Sequence, residues 1–125
     1  MLLIARGIED PEHRKLMASQ IYAENGSLLP ERIGDKGCSL GIPQRNFCLY
    51  GISAKTALKR YPVWKDYKFQ LEWMADKARE DYNRFNSNVF LSIIFHNCPV
   101  CAKAGKDNGY YKKVYNLSMR FTQAL

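Results

Sequence analysis

The sequence lacks any apolar run long enough to cross a bilayer. The two longest candidates, at residues 1–5 and 89–95, are far shorter than the roughly 20 residues that a transmembrane helix needs. The first residues also lack the basic leader, long apolar stretch and small-residue cleavage site of a secretory signal peptide. We therefore expect no stable membrane insertion and no signal peptide.

Strand-like alternation of apolar and polar residues, with a period of two, is also absent over any useful length. The chain contains neither an internal repeat nor a low-complexity segment. Its 125 residues are enough for one domain, and an apolar fraction of 46% with 13% aromatic residues indicates a packed core. We predict a mainly α fold with one domain spanning residues 1–125, and we expect a monomer.

Acidic residues are scarce relative to basic ones, with 12 against 19 and a net charge of +7. This balance favours an anionic partner, and nucleic acid, a membrane surface and a phosphate-bearing cell wall all satisfy it. No predicted helix carries the continuous basic face of a nucleic-acid reading helix. We therefore expect no nucleic-acid partner.

Only one Cys-x2-Cys pair is present, at Cys98 and Cys101, whereas Cys38 and Cys48 are ten positions apart. The missing second Cys-x2-Cys disfavours a four-thiolate zinc site. The sequence leaves two alternatives for the cysteines: the two disulfides Cys38–Cys48 and Cys98–Cys101, or free buried thiols. We expect no metal and no cofactor.

Helix signals divide the chain into segments. Asp10 is a candidate N-cap and Pro11 suits the first helical position, so the first helix is predicted at residues 11–24. Further helices are predicted at residues 54–60, 64–85, 88–96 and 110–122, with Ser53 and Ser87 as caps. Glycine and proline make residues 25–46 a loop with a possible hairpin at 35–37, and residues 102–108 read as a polar loop. Residues 1–9 form an apolar arm that could be helix or strand.

The end of the first helix holds a candidate catalytic carboxylate. Met17, Ile21 and Glu24 follow helical spacing on one face, so Glu24 is directed towards the core. Partial burial and the negative end of the helix dipole both disfavour its ionised form, so its pKa is expected to be raised. That suits a general acid near neutral pH. The alternative is an ordinary surface glutamate at a fraying helix end.

Short motifs then carry a resemblance to a known family. They are Glu24-Asn25-Gly26-Ser27 and Gly41-Ile42-Pro43-Gln44, and they resemble the Glu-Ser, loop, Gly-Leu-Met-Gln pattern of soluble lytic transglycosylases, relatives of goose-type lysozyme. Residues 90–97 and 110–114 resemble the family's Ala-Tyr-Asn-Ala-Gly helix end and its Tyr-Val-x-Lys-Val helix. His96 stands where that family has tyrosine. The resemblance covers about residues 11–114 and implies a lysozyme-like helical domain with a loop-rich active-site lobe.

The resemblance also implies a function and a set of site residues. The expected reaction is cleavage of the β-1,4 bond between N-acetylmuramic acid and N-acetylglucosamine in peptidoglycan, with Glu24 as the single acid and base and a 1,6-anhydro product. The expected substrate-binding residues are Gln44, Ser39, Gly41, His96, Asn97 and Tyr111. Such an enzyme would act in the cell wall, the periplasm or outside the cell, and a phage protein could reach the wall without a leader.

Two other functions stay open from the sequence. A muramidase would hydrolyse the same bond with water and could use Asp35 as a helper. A non-catalytic binder would hold an anionic polymer, either cell wall or nucleic acid, with basic and aromatic side chains such as Arg45, Lys112 and Tyr110.

Overall fold

The computed structural model describes residues 7–26 and 28–124, with side chains described up to residue 119. Its α-helices in that part are α1 (Pro11–Glu24), α2 (Ala54–Arg60), α3 (Tyr67–Arg84), α4 (Val89–Asn97), α5 (Pro99–Ala104) and α6 (Tyr110–Ala124). A small antiparallel sheet contains β1 (Ile33–Gly34), β2 (Ser39–Leu40) and β3 (Arg45–Asn46) in that order. The mainly α class is confirmed.

Some predictions fall outside the described chain. These are the predicted apolar arm over its residues 1–6, the signal-peptide prediction for the same residues, and Ser27 of the Glu-Asn-Gly-Ser motif. Among the described helices, none combines the length and the apolar character needed to cross a membrane.

The chain forms two compact units. The loop unit comprises Glu24–Met74, and the helical unit is described over residues 7–23 and 75–124. Both boundaries fall inside helices, after Ala23 in α1 and after Met74 in α3. The prediction of a single domain stays a prediction.

Local capping explains why two helices begin where the sequence predicts. An Asp10 carboxylate oxygen accepts hydrogen bonds from the backbone N–H groups of Glu12 at 2.9 Å and His13 at 3.4 Å. The Ser53 hydroxyl accepts from the N–H of Thr56 at 3.1 Å. Such side chains satisfy helix donors that have no partner within the helix. The helices span Pro11–Glu24 and Ala54–Arg60, so the predicted bounds are confirmed.

The predicted start of one helix and the predicted cap of another need correction. α3 begins at Tyr67 and not at residue 64, because Pro62–Lys65 forms a separate 3-10 turn and Asp66 caps the new helix through the N–H of Lys68 at 2.9 Å. The predicted cap Ser87 is also wrong, since the Asn88 side chain accepts from the N–H of Leu91 at 3.0 Å.

The predicted polar loop at residues 102–108 is wrong over its first part. Helix α5 occupies Pro99–Ala104, with proline in its first turn and the Cys98 sulfur accepting from the N–H of Cys101 at 3.2 Å. Gly105 then ends the helix in the left-handed conformation, at φ +69°. The last helix begins at Tyr110 as predicted and continues to Ala124.

The helical unit packs around a small apolar cluster. Leu16 of α1, Ile93 of α4 and Val114 of α6 are each at most 1% exposed. The Gln20 side-chain amide also donates to the backbone oxygen of Ile93 at 3.5 Å. These contacts fix α1, α4 and α6 against one another.

The loop unit is built on the predicted hairpin. Strand β1 pairs with β2 on either side of Asp35–Gly37, and β2 pairs with β3, placing Leu40 opposite Arg45. The strands have two residues each, which is too short for an alternating pattern to show in the sequence. The buried core of the unit contains Leu40, Phe47, Ala54, Ala57 and Trp64.

The four cysteines form two disulfides, Cys38–Cys48 and Cys98–Cys101. One of the pairings left open by the sequence is therefore present, and the described chain has no free thiol. The first disulfide joins the residue before β2 to the 3-10 turn that follows β3. It closes a loop that contains Ser39, Gly41 and Gln44.

Candidate functional site

Glu24 is the last residue of α1 and the first residue of the loop unit, and its side chain is half-buried. The next residue, Asn25, is fully buried. A buried polar side chain must find hydrogen-bond partners or destabilise the fold. The partners of Asn25 therefore determine what lies next to the helix end.

The Asn25 side-chain amide nitrogen donates to the backbone oxygen of Leu29 at 2.8 Å and to that of Gly41 at 3.1 Å. The Gln44 amide nitrogen donates to the same Gly41 oxygen at 2.8 Å and to the Arg32 oxygen at 3.3 Å. The end of α1 is thus attached to the Gly-Ile-Pro-Gln turn through one carbonyl group. The two blocks of the predicted motif meet within the loop unit.

A second buried amide holds this turn from the other side. The Gln70 side-chain oxygen accepts from the backbone N–H of Ile42 at 2.8 Å, and its nitrogen donates to the Pro30 oxygen at 2.7 Å and to the Trp64 oxygen. Gln70 is fully buried, as are Gly41 and Pro43. Such a fully bonded network keeps the turn in one conformation.

Gly41 itself has a backbone that favours glycine, with φ at +77°. A β-carbon at this position would lie 2.6 Å from Cδ of Gln70. The glycine of the predicted motif is therefore needed both for backbone conformation and for the close approach of Gln70.

The other predicted binding residues of the loop unit are bonded within it. The Ser39 hydroxyl is buried and donates to an Asp35 carboxylate oxygen at 2.5 Å. Gln44 is half-buried, and its amide nitrogen is used by two carbonyl groups, so its side-chain oxygen is the group left for a ligand. A direct ligand contact by either residue stays a prediction.

His96, Asn97 and Tyr111 lie in the helical unit. His96 and Asn97 end α4, where the Asn97 side-chain oxygen accepts from the Asn108 amide at 3.1 Å and so joins the helix end to the 105–109 loop. The Tyr111 ring packs edge-to-face on Phe90, with ring centroids 4.7 Å apart. Burial raises the pKa of Tyr111, and the charge of Glu12 adds to this effect.

The sequence did not single out a cavity of about 340 Å³ in the loop unit. Its lining combines two arginines with four aromatic rings and one aliphatic side chain: Arg45, Arg60, Phe47, Tyr50, Tyr61, Trp64 and Ile52. Arg45 appeared in the sequence only as one of several basic residues. The aromatic residues are spread from position 47 to 64, so no local pattern indicates that they surround it.

A second cavity, of about 530 Å³, lies in the helical unit and contains His13. The His13 ring is 1% exposed, stacks on Tyr82 with centroids 4.8 Å apart, and its Nε2 atom has no hydrogen-bond partner. Burial lowers the pKa of His13, and the Asp10 carboxylate opposes this shift. Burial therefore favours the neutral form of the His13 ring.

No group of three or more His, Cys, Asp or Glu side chains in the described part of the chain is arranged to hold a metal ion. Comparisons with protein-family models, curated proteins and solved structures found no match.

Proposed function

We propose that this chain is a lytic transglycosylase with a lysozyme-like fold that cleaves peptidoglycan glycan strands, with Glu24 as the single acid and base. The supporting observation is the shared Gly41 carbonyl, which accepts from both Asn25 and Gln44. It attaches the Glu24 end of α1 to the turn that resembles the family's Gly-Leu-Met-Gln block. A surface glutamate at a fraying helix end would need no such buried attachment.

Glu24 would act first as an acid. Cleavage of the β-1,4 bond needs a proton on the leaving oxygen, because an unprotonated sugar alkoxide leaves slowly. A half-buried carboxyl group at a helix C-terminus is suited to hold a proton, since burial and the helix dipole both disfavour its anion.

The same carboxylate would then act as a base. The 2-acetamido oxygen of the substrate would stabilise the positive charge at C1, and Glu24 would remove the proton of the muramoyl 6-hydroxyl. The 6-oxygen would close onto C1, giving the 1,6-anhydro sugar and regenerating the protonated glutamate. This route needs no second carboxylate, unlike most glycoside hydrolases.

Other residues of the loop unit would keep this geometry fixed. Asn25, Gln44 and Gln70 bond the turn and so act as positioning residues. The Cys38–Cys48 disulfide closes the loop that carries the turn, and disulfides persist in oxidising compartments such as the periplasm or the cell exterior. The disulfide supports action at the cell wall, outside the cytoplasm, and we propose that the chain acts there as a monomer.

Digestion of purified peptidoglycan, followed by mass spectrometry of the soluble fragments, tests the proposal. The wild-type chain should release 1,6-anhydro fragments, and Glu24→Gln should reduce release at least about a hundredfold, the usual size of a general acid–base contribution. Glu80→Gln, which removes an exposed carboxylate on α3, is the matched control and should keep full activity.

The product mass separates the two catalytic alternatives. An anhydro end is about 18 Da lighter than a reducing end, because cyclisation replaces the addition of water. Reducing ends together with a loss of activity in Asp35→Asn would identify a muramidase instead. Equal release by wild type and Glu24→Gln would refute catalysis by this carboxylate.

A non-catalytic binder is the second candidate, and the arginine-lined cavity of the loop unit favours it. Under this function the chain would sediment with insoluble peptidoglycan and release no fragments. Glu24→Gln would then leave the bound fraction unchanged.

A further inference from the structure

The guanidinium group of Arg45 is surrounded by aromatic rings of the loop unit. Its Cζ atom lies within about 5 Å of four ring centroids: 4.9 Å from Phe47, 5.1 Å from Tyr50, 4.9 Å from Trp64 and 4.8 Å from Trp73. Aromatic faces stabilise a cation and cover its planar surface. The N–H groups at the edge of the guanidinium plane are left as its hydrogen-bonding surface.

These N–H groups need acceptors. The Nε atom of Arg45 is buried and has no hydrogen-bond partner. A buried donor without a partner is destabilising. Because Nε itself is buried, a carboxylate or phosphate in the cavity would bond the terminal N–H groups of Arg45, whose fork of donors matches its oxygens.

Arg60 supplies a second positive charge on the same cavity wall. It is exposed at the end of α2, next to Tyr61, whose side chain is 50% exposed. Tyr50, which also lines the cavity, is 67% exposed. The cavity therefore offers two cations together with accessible aromatic faces on which a sugar ring could rest.

The backbone around Arg45 is held in place before any ligand binds. Arg45 pairs with Leu40 across the sheet, and the N–H of Phe47 donates to the Cys38 oxygen at 2.8 Å. The Cys38–Cys48 disulfide closes the same segment. A site that is already ordered loses little conformational freedom on binding.

We infer that this cavity binds the acidic group of a saccharide, with the carboxylate or phosphate on Arg45 and Arg60 and the sugar ring against Tyr50 and Tyr61. The identity of the saccharide rests on the proposed function, since N-acetylmuramic acid carries such a carboxylate wherever its lactyl group bears no stem peptide. The anionic group follows from the two arginines alone. The cavity volume of about 340 Å³ lies within the range of small-ligand sites.

Tryptophan fluorescence is a direct probe of this cavity. The chain has two tryptophans; Trp64 lines the cavity and Trp73 lies beside Arg45. The wild-type protein is titrated with N-acetylmuramic acid, with neutral N-acetylglucosamine, with glucosamine 6-phosphate and with inorganic phosphate. We expect N-acetylmuramic acid to bind at least about tenfold more tightly than N-acetylglucosamine, and to bind more weakly as salt is added.

Variants then assign the binding to the arginines. Arg60→Gln changes an exposed side chain and should weaken binding of N-acetylmuramic acid about tenfold, whereas Lys59→Gln, a neighbouring exposed cation outside the cavity lining, should not. Arg45→Lys keeps the charge but loses the planar fork of donors, so binding should also weaken. Equal affinity for the acidic and neutral sugars, or unchanged binding in Arg60→Gln and Arg45→Lys, would overturn the inference.

Comparison of N-acetylmuramic acid, glucosamine 6-phosphate and inorganic phosphate shows which kind of anion the cavity binds. Preference for glucosamine 6-phosphate over N-acetylmuramic acid would assign the site to a sugar phosphate. It would still support binding of an anionic group by the two arginines. Equal affinity for inorganic phosphate, N-acetylmuramic acid and glucosamine 6-phosphate would refute the contribution of the sugar ring to binding.

The outcome is separate from that of the proposed function. Glu24→Gln is expected to keep the fluorescence response while losing fragment release. If the wild type binds N-acetylmuramic acid but releases no peptidoglycan fragments, the lytic activity is refuted and the binding site is supported. If it releases fragments but does not prefer the acidic sugar, the binding site is refuted and the lytic activity is supported.

Discussion

The side-chain amides of Asn25 and Gln44 donate to the same backbone oxygen, that of Gly41, at 3.1 and 2.8 Å. The backbone N–H of Gln44 also donates to this oxygen, at 3.1 Å, so three N–H donors share one carbonyl group. The residue after the proposed catalytic glutamate and the last residue of the Gly-Ile-Pro-Gln turn are therefore held by one acceptor. Losing either amide should loosen the turn.

Asn25→Ala tests the energetic part of this relationship. The substitution removes the hydrogen bonds to the Leu29 and Gly41 oxygens, of which the Gly41 oxygen keeps its donors from Gln44, and we expect the free energy of unfolding to fall by about 1–3 kcal/mol. Urea denaturation followed by circular dichroism measures the change. Asn116→Ala, on the exposed surface of α6, is the control and should remain within about 0.5 kcal/mol of wild type.

Gly41→Ala and Gly51→Ala form a matched pair, because both glycines have a positive φ, +77° and +79°. A β-carbon at Gly51 meets no atom within 4 Å, so this variant should lose only about 1–2 kcal/mol from the left-handed backbone. At Gly41 the β-carbon also displaces Gln70, and we expect at least about 2 kcal/mol of additional destabilisation. If denaturant unfolding shows equal losses of stability in the two variants, Gln70 moves aside without any cost in stability.

Removing the Cys38–Cys48 disulfide should destabilise the protein more than removing Cys98–Cys101. The bridges span sequence separations of 10 and 3, and loop-closure entropy gives about 3 and about 2 kcal/mol respectively. Paired cysteine-to-alanine variants and urea denaturation measure the two losses. The first variant should also release fewer peptidoglycan fragments, since its loop carries Gln44, and a larger stability loss in the second would contradict the entropic explanation.

His13 should make the stability of the protein depend on pH. An unfolded histidine titrates near pH 6.5, and burial lowers the pKa of folded His13 below this value. As the pH falls below about 6.5 the unfolded chain binds a proton that the folded chain does not, so the free energy of unfolding decreases. Above that pH both states are neutral at this site and His13 adds no pH dependence.

Denaturation between about pH 8 and pH 5 measures this effect, with His13→Phe as the comparison. Phenylalanine keeps a ring against Tyr82 but has no titrating group. The decrease in stability between about pH 6.5 and pH 5 should be smaller in the variant than in wild type. Identical slopes would assign the pH dependence to other groups.

Helices were predictable where their ends are determined by neighbouring residues. Asp10 and Ser53 cap the N-termini of their helices through bonds that span two or three positions, so the sequence alone gives the start of each helix. The start of α3 was predicted too early, at residue 64, because Pro62–Lys65 forms a separate 3-10 turn and the Trp64 ring packs in the core with Phe47 and Phe69. These ring contacts are tertiary, so the local sequence does not indicate them.

The candidate site was predictable only in part, for the same physical reason. Glu24 and Gln44 belong to short motifs and are visible in the sequence. Gln70 and Arg45 are not, because their importance comes from partners that lie up to 40 positions away. Local patterns carry no information on such contacts.

The three hydrogen bonds of Gln70 also limit which residues can occupy position 70. Its oxygen accepts from Ile42 while its nitrogen donates to Pro30 and Trp64, so the site requires a long side chain with both an acceptor and a donor. Glutamate has no amide hydrogens, asparagine is one methylene shorter, and methionine offers neither group. In a saturation library screened for folded protein, glutamine is the amino acid expected to survive at this position.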